Sequence, residues 1–336
     1  MRAVASPKFW IGIGISVACL WLAIRDVPFS EFGRSLASAS YIWLLPAIVL
    51  QFLAVLPRAQ RWIVLLGKED RLADSFWAQS IGYLFTNTFP FRLGEPARII
   101  VMSQRCRLPF VQVAASAVVE RFLDVAIVLL FLVVVLPLMH VPDIVTRAGI
   151  YFGAVILLAL TILLLAIRFD QWCEKLLHRV CEWCRFLPAG SIVARWRELI
   201  DGLRQQMGMR VAGAAGWSLV TWILAVVTEW LVIRTFQPNG SIVEAAFVIV
   251  ALAFAVSVPS SPGFIGVFQF VGQQALVLPF AGKYDIATAL AITLTGHLLY
   301  YLTTSILGVI GVWRLGESVS HLGRLVAAGR PAPTKL

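Results

Sequence analysis

The stretch NTFPFRLGEPAR (87–98) places Arg92, Glu95 and Arg98 among two prolines and a glycine. Pro90 lacks an N–H and fixes φ, so a helix before it should end there, and the glycine permits a tight turn into a new helix. Arginine guanidiniums present planar sets of donors that suit a phosphate or a carboxylate. Because Glu95 can pair with one arginine and leave the other for a ligand, we predict an anion site between two helix ends. The alternative is a basic loop.

A second pair of arginines lies in PRAQRW (57–62), where Arg58 and Arg61 are three positions apart on one helix face at the end of an apolar run. They are either further ligands for the anion or anchors at a membrane surface, beside an aromatic residue typical of that surface. The residues predicted to bind a lipid headgroup are Arg58, Arg61, Asn87, Arg92, Glu95 and Arg98.

Acidic side chains interrupt the apolar run VVERFLDVAIVLL (118–130), in which Glu120 and Asp124 lie one helical turn apart and Arg121 adjoins them. Acids inside an apolar helix are costly, so they are usually functional or paired. Their simplest partners are Arg58, Arg92 and Arg98. A buried ion network and direct ligand contact both explain them, and both require this helix to pack beside the stretch 87–98.

A polar stripe runs along the last apolar segment, where Thr293, His297, Tyr300 and Thr304 follow helical spacing and should face the protein interior. His297 could hydrogen-bond a headgroup, relay a proton or make a satisfied interhelical hydrogen bond. Glu229, in another apolar run, has the same two interpretations, a functional group or a satisfied structural one. The residues predicted to balance charge or carry a coupling proton inside the membrane are Glu120, Arg121, Asp124, His297 and Tyr300.

The stretch SVPSSPGFIGVFQFVGQQ (257–274) combines helix breakers with neutral polar groups. A simple kink needs one proline, and a half-helix N-terminus can point at an anion, so this stretch predicts a second site element. The alternative is a flexible kink with close helix packing. The residues predicted to form a broken-helix gate are Pro259, Ser260, Ser261, Pro262, Gly263, Gly266 and Gln269.

The elements that hold these residues must lie in a membrane. The chain has 336 residues, of which 60% are hydrophobic and 14% charged, with a mean hydropathy of +0.85, whereas a soluble domain carries about 25% charged residues. Bilayer crossing takes about 20 apolar residues. Six runs approach or reach that length: 9–24, 35–57, 113–139, 148–167, 211–228 and 285–313. The first reads as a retained helix rather than a signal peptide.

Loops rich in lysine and arginine stay on the cytosolic side. If both termini are cytosolic, loops rich and poor in these residues alternate along the chain. Under this rule the segments 74–98 and 245–282 each enter and leave from one side, in opposite orientations. We predict an all-α polytopic membrane protein, one transmembrane domain over 1–336. It has about six spans and two re-entrant or broken segments, an arrangement compatible with an inverted repeat. The alternative treats each broken segment as kinked spans, giving eight to ten helices.

Several function classes find no support in the sequence. Phosphate-binding loops, dinucleotide fingerprints and hydrolase motifs are absent where their context would be. The longest loop, 168–210, reads as a cytosolic amphipathic segment, and the tail 314–336 is also predicted to be cytosolic. Cys181 and Cys184 have no second such pair, so packing explains them better than a metal. We expect no cofactor, no metal and no nucleic-acid partner.

Four motifs in order, RAQRW (58–62), NTFPFRLGEPAR (87–98), ERFLD (120–124) and PSSPGFIGVFQF (259–270), resemble the lysylphosphatidylglycerol synthase transmembrane-region family of flippase-like proteins. The resemblance covers roughly residues 8–315. It implies a multi-pass protein of the bacterial cytoplasmic (inner) membrane that handles a lipid. Family synthases carry a following cytosolic aminoacyltransferase domain; we expect no such domain here and therefore no lysyl transfer from this chain.

The resemblance implies a translocase that flips a phospholipid or another polar lipid headgroup, with a lipid-synthesis enzyme as a possible partner. Many relatives carry an acid where this chain has Gln269. A neutral side chain there suits an anionic or uncharged polar headgroup better than a cationic one. The alternative is an intramembrane lipid-modifying enzyme, or an accessory subunit of one, that uses Glu120, Asp124 or His297 as acid and base.

Overall fold

The computed structural model describes residues 7–139, 143–183, 190, 193–194, 196–197, 200–201, 209–257, 260–280 and 282–328. These residues are helical, with no strand among them. The first half contains α1 (Pro7–Ile24), α2 (Phe29–Ser38), α3 (Leu44–Leu53), α4 (Val55–Leu66), α5 (Leu72–Thr88), α6 (Gly94–Cys106) and α7 (Phe110–Val135). The second contains α8 (Asp143–Arg168), α9 (Asp170–Trp183), α10 (Met209–Phe236), α11 (Ile242–Ala255), α12 (Val267–Val277), α13 (Ile286–Arg314) and α14 (Val319–Ala328). The all-α polytopic architecture is confirmed.

Within the described residues, four helical segments are long and apolar enough to cross a membrane: Tyr41–Leu66, Phe110–Leu138, Met209–Phe236 and Ile286–Arg314. A fifth span results if Trp10–Ile24 and Phe29–Ser38, which are bent by 80° at their junction, count as one. Of the six predicted runs, 9–24 thus forms one arm of a bent pair. The run 148–167 lies inside α8, which is not among the four.

Both predicted broken segments are pairs of short helices. In the first, α5 ends at Thr88, a 3-10 turn covers Pro90–Arg92, and α6 begins at Gly94. In the second, a 3-10 turn over Pro262–Phe264 separates α11 from α12. The two helices of each pair pack against each other. Each segment is therefore a helical hairpin with its break at the tip.

The long helix α13 shows how the first hairpin is oriented. Gly311 of α13 packs on Trp77 of α5, and Gly308, about one turn earlier on α13, packs on Ser80. Further along α5, the Asn87 Nδ2 donates hydrogen bonds to hydroxyls of α13 at Thr304 and Ser305. The hairpin α5–α6 therefore approaches the middle of α13 from its C-terminal end.

The second hairpin approaches the same point from the opposite end. Gln273 Nε2 donates to the carbonyl of Ile286, at the start of α13, and Gly272 packs on Thr293. At the beginning of α12, Gln269 bonds to His297. The two hairpins are thus oppositely oriented, as predicted, and their tips meet beside the middle of α13.

Polar contacts hold the end of the second hairpin that lies away from its tip. Ser241 and Glu244 form a capping box at the start of α11, and Glu244 also binds Lys283 and accepts a hydrogen bond of 2.6 Å from the Tyr284 hydroxyl. Burial and this bond to a carboxylate raise the pKa of Tyr284. Burial also raises the pKa of Asp285, the N-cap of α13, but hydrogen bonds from Thr288 outweigh it, so the net pKa is lowered. These contacts fix the hairpin to the start of α13.

The two largest apolar clusters of the described residues lie one on each side of the meeting tips. The larger contains residues of α10 to α13, including Ile233, Leu252, Leu276 and Ile292. The other contains residues of α4 to α7, including Trp62. Since lipid tails are as apolar as these side chains, close packing rather than water exclusion holds such helices together inside a membrane.

Candidate functional site

Arg61 of α4 lies at the centre of a buried ion network. Its side chain is 2% exposed, and its Nη1 lies 2.5 Å from Oδ1 of Asp124. Its Nε donates to Glu120 Oε1 at 3.2 Å, and its Nη1 also donates to the Ser218 hydroxyl of α10. Arg61 therefore joins α4, α7 and α10.

Arg98 of α6 extends the network. Its Nε and Nη2 donate to Glu95 Oε2 at 2.8 and 2.6 Å, and its Nη2 lies 2.7 Å from Glu120 Oε2. That last contact is an ion pair without hydrogen-bond alignment, since Glu120 Oε2 accepts no bond. The guanidinium stacks over the Trp62 ring, 4.6 Å from its centroid. Its remaining nitrogen, Nη1, is buried and has no hydrogen-bond partner among the described residues.

Asp124 and Arg121 of α7 complete the network. Asp124 accepts a hydrogen bond of 3.1 Å from the Trp222 indole of α10. The Arg121 Nη2 lies 3.3 Å from Asp124 Oδ2 and 3.6 Å from Glu95 Oε1, although 58% of its side chain is exposed. The network thus balances three arginines against three carboxylates and joins α4, α6, α7 and α10.

Two further arginines lie beside the network. The Arg58 guanidinium is 5.7 Å from the centroid of the Tyr83 ring, and no carboxylate of the described residues is within 4.0 Å of it. The Arg92 guanidinium, at the tip of the first hairpin, is 5.5 Å from the ring of Phe264 at the tip of the second. These arginines add positive charge to a network that is already balanced.

A cavity of about 380 Å³ joins these groups. Five arginines line it: Arg58, Arg61, Arg92, Arg98 and Arg121. The hairpin α11–α12 and its tip contribute only apolar side chains: Ile249, Leu252, Ala253, Val256, Phe264 and Phe268. One wall of the cavity is therefore charged, and the wall towards the second hairpin is apolar.

The second tip is held by a closed set of hydrogen bonds. Gly266 N–H donates to Gln269 Oε1, and the Gln269 amide donates to Nδ1 of His297. The His297 Nε2 then donates to the carbonyl of Gly263, 2.8 Å away. This orientation satisfies every member with a neutral imidazole. The His297 ring stacks on Phe268, which separates it from the cavity.

Both tips use backbone conformations that side chains rarely adopt. Arg92 has φ of 52° and Phe264 has φ of 59°, so the facing residues are both left-handed. Such conformations cost about 1 kcal/mol or more each and persist only where surrounding structure holds them. The strain lies where the two hairpins meet.

The structure brings most of the predicted ligands to one place. Cavity-lining residues from the predictions are Arg58, Arg61, Arg92, Glu95, Arg98, Arg121, Asp124 and Tyr300. Glu120 lies behind them in the ion network, and Asn87 lies against α13. The predicted gate residues form the second tip, outside the lining, with Gly266 against α1 and Ser261 N–H bonded to Ser16. Pro259 lies outside the described residues.

Some expectations need correction. Glu120 and Asp124 pair with Arg61, which was not among their predicted partners. Arg61 and Trp62 are not surface anchors, because both are fully buried and the Trp62 indole donates to Ser116. The sequence analysis did not place Tyr83, Trp222, Glu229, Phe264 and Phe268 in the site, although they line the cavity. Only Glu229 carried a signal, as an acid within an apolar run.

Comparison with known proteins gives a consistent picture. The family described as lysylphosphatidylglycerol synthase TM region matches residues 9–308. A UPF0104 membrane protein of Methanocaldococcus jannaschii is similar, with 23% identity over 329 residues that cover 93% of this chain and 96% of the relative. No solved structure matches the chain.

Proposed function

This chain belongs to the lysylphosphatidylglycerol synthase TM region family of integral membrane proteins, and from that premise we propose that it binds the phosphate-bearing headgroup of a lipid in its cavity and moves that lipid between leaflets. The observation that carries the proposal is the excess of guanidinium donors in the cavity. Three arginines are balanced by carboxylates, while Arg58 and one nitrogen of Arg98 have no carboxylate or hydrogen-bond partner in the described part.

A phosphate is the ligand that suits these donors. Buried donors without partners cost about 1–3 kcal/mol each, and hydrogen bonds to charged groups contribute about 1.5–3 kcal/mol. Oxygens of a phosphate can accept from several guanidiniums at once. Arg58 and Arg98 both line the cavity, so one anion between them would satisfy both.

The apolar wall supports a lipid rather than a free anion. Its side chains on α11 and α12 line the same cavity as the arginines. A headgroup at the arginines would leave an acyl chain against this wall. The volume of about 380 Å³ falls in the usual range for ligand pockets, roughly 300–1,000 Å³.

The meeting hairpins support movement of the bound lipid. Irregular backbone inside a bilayer is tolerated only where protein or a polar cavity surrounds it, and broken helices that meet from opposite sides are typical of transporters. Here the tips meet beside the middle of α13, next to the cavity. By the charge rule, the arginine end opens towards the cytosolic leaflet of a bacterial inner membrane.

The headgroup site is tested by Arg58→Met. Because Arg58 has no carboxylate partner, the variant should fold and insert normally, while anionic phospholipid that co-purifies in mild detergent falls about tenfold, as expected for losing one charge-assisted contact. Native mass spectrometry measures the bound lipid. Arg314→Met, at the end of α13 and outside the cavity lining, is the matched control. An unchanged lipid profile in Arg58→Met would refute the assignment.

A further inference from the structure

One carboxylate in the cavity belongs to neither the ion network nor the headgroup site. Glu229 of α10 is 7% exposed and lines the same cavity. Within the described residues it makes no ion pair or hydrogen bond. The nearby Thr228 hydroxyl bonds to its own helix at Leu224. Across the interface, α13 carries a glycine, Gly296, and a Cβ there would lie 3.2 Å from Glu229 Oε2. The carboxylate therefore faces the cavity.

The other buried acids among the described residues differ from Glu229 in having cationic partners. Glu120 pairs with Arg61 and Arg98, and Glu244 pairs with Lys283. A buried carboxylate without a cationic partner carries a desolvation cost, and unpaired acids inside a membrane span usually serve a function. A proton on the carboxylate removes this cost, and no group of three or more His, Cys, Asp or Glu among the described residues could hold a metal ion.

Glu229 shares the cavity with the arginines and lies beside the part of α13 that holds the second tip. It follows Ser218, the α10 partner of Arg61, by eleven residues, or about 16 Å along the helix. Gly296 directly precedes His297, which holds the second tip. An anionic headgroup held by the arginines therefore shares one cavity with the Glu229 carboxylate, about three helical turns along α10 from the Arg61 contact.

Charged and titratable side chains from several helices share the cavity lining with Glu229. The walls from α4 to α7 present the five lining arginines with Glu95, Asp124 and Tyr83, and α13 presents Tyr300. α3 presents the neutral Gln51, and α11 and α12 present apolar side chains only. Outside the lining, His297 lies behind Phe268. Glu244, Lys283 and Tyr284 form a polar cluster at the end of the second hairpin away from its tip. No other carboxylate lies on the apolar side of the cavity lining.

We propose that Glu229 is a proton-binding gate for an anionic headgroup, an inference that rests on the proposed function. When a proton from cavity water forms an O–H bond with the carboxylate, the side chain is neutral and the headgroup passes. When that proton returns to water, the negative charge repels the headgroup. Two unit charges about 10–15 Å apart, at an effective dielectric constant of about 20, change the affinity of the cavity for the anionic headgroup by about tenfold. By reciprocity, a bound anion strengthens proton binding at Glu229 by the same factor.

The test measures transport of fluorescent phosphatidylglycerol in proteoliposomes between pH 5.5 and 8. Wild-type protein should slow about tenfold as the pH rises. Glu229→Gln, which keeps the shape and removes the charge, should be fast at every pH. Glu317→Gln, outside the cavity lining, is the matched control and should keep the wild-type profile. Binding of the same lipid in detergent at each pH is the second measurement, and only the wild type and the control should bind less at high pH.

The outcomes separate the two proposals. If wild type transports the lipid and Arg58→Met does not, but Glu229→Gln keeps the wild-type pH profile, the gate is wrong and the headgroup site stands. If Glu229→Gln abolishes both transport and binding at all pH values, Glu229 is a structural or ligand-binding residue rather than a gate. If wild type neither binds nor moves the lipid, the proposed function fails and the gate fails with it.

Discussion

Arg61→Met should lower the free energy of unfolding by about 3–5 kcal/mol, the range measured when one partner of a buried ion pair is removed. The substitution leaves Asp124 with the more exposed Arg121 and leaves Glu120 with Arg98 alone. It also breaks the contact from α4 to Ser218. Thermal unfolding in detergent, followed by size-exclusion chromatography, measures the loss.

Arg58→Met is the matched control for this prediction, because it makes the same chemical change three residues away on the same helix. Arg58 has no carboxylate partner in the described residues. The free energy of unfolding of the Arg58→Met variant should therefore stay within about 1 kcal/mol of wild type, as for other substitutions that break no buried pair. Equal destabilisation of both variants would refute the distinction between a structural and a ligand-binding arginine.

A combined variant tests the cause. If uncompensated charge explains the loss, Arg61→Met with Glu120→Gln and Asp124→Asn should recover part of the stability, since removing a whole buried network often costs little. A further loss would instead show that packing of the arginine stem is what matters.

Gly266→Ala should lower the free energy of unfolding by about 3 kcal/mol or more, because overpacking and a left-handed backbone act together. Gly266 has φ of 89°, and an added Cβ would lie 2.1 Å from the Ser16 carbonyl of α1. That contact is with backbone, so α1 must move away from the second tip. Thermal unfolding again measures the effect.

Gly14→Ala provides the matched control on α1 itself. It is a helical glycine with nothing within 4 Å of an added Cβ. Since alanine favours a helix by about 0.5–1 kcal/mol over glycine, this variant should be as stable as wild type or slightly more so. If the Gly266→Ala protein unfolds at the same temperature as the Gly14→Ala protein, α1 does not pack on the second tip as described.

The sequence predicted the breaks well because prolines and glycines act locally. Pro90 ends α5 through its own missing N–H, and this needs no tertiary information. The opposite orientation of the hairpins also followed, because loop charge reports the side on which each segment begins and ends. Pro28 marks the bend between α1 and α2, but the run 9–24 was long enough to suggest a complete span.

The roles of the arginines could not be predicted in the same way. Arg58 and Arg61 are three positions apart and so lie about 60° apart around the helix, which is close enough to share a face by spacing alone. Both arginines line the cavity, but helix rotation brings only Arg61 to the carboxylates of α7, and rotation depends on packing partners far away in sequence. Phe264 and Phe268 were missed for the same reason, since nothing local distinguishes a lining aromatic residue from a core one.

The dependence of the first hairpin on α13 has a consequence for biogenesis. The hairpin is complete at Cys106, but α13, against which α5 packs, ends roughly 200 residues later at Arg314. At synthesis rates of about 5–20 residues per second, the hairpin waits roughly 10–40 s for this partner. During that interval the polar face of α5, with Ser80 and Asn87, has no α13 to cover it. The insertion machinery, or the helices already made, must shelter this face until the chain is nearly finished.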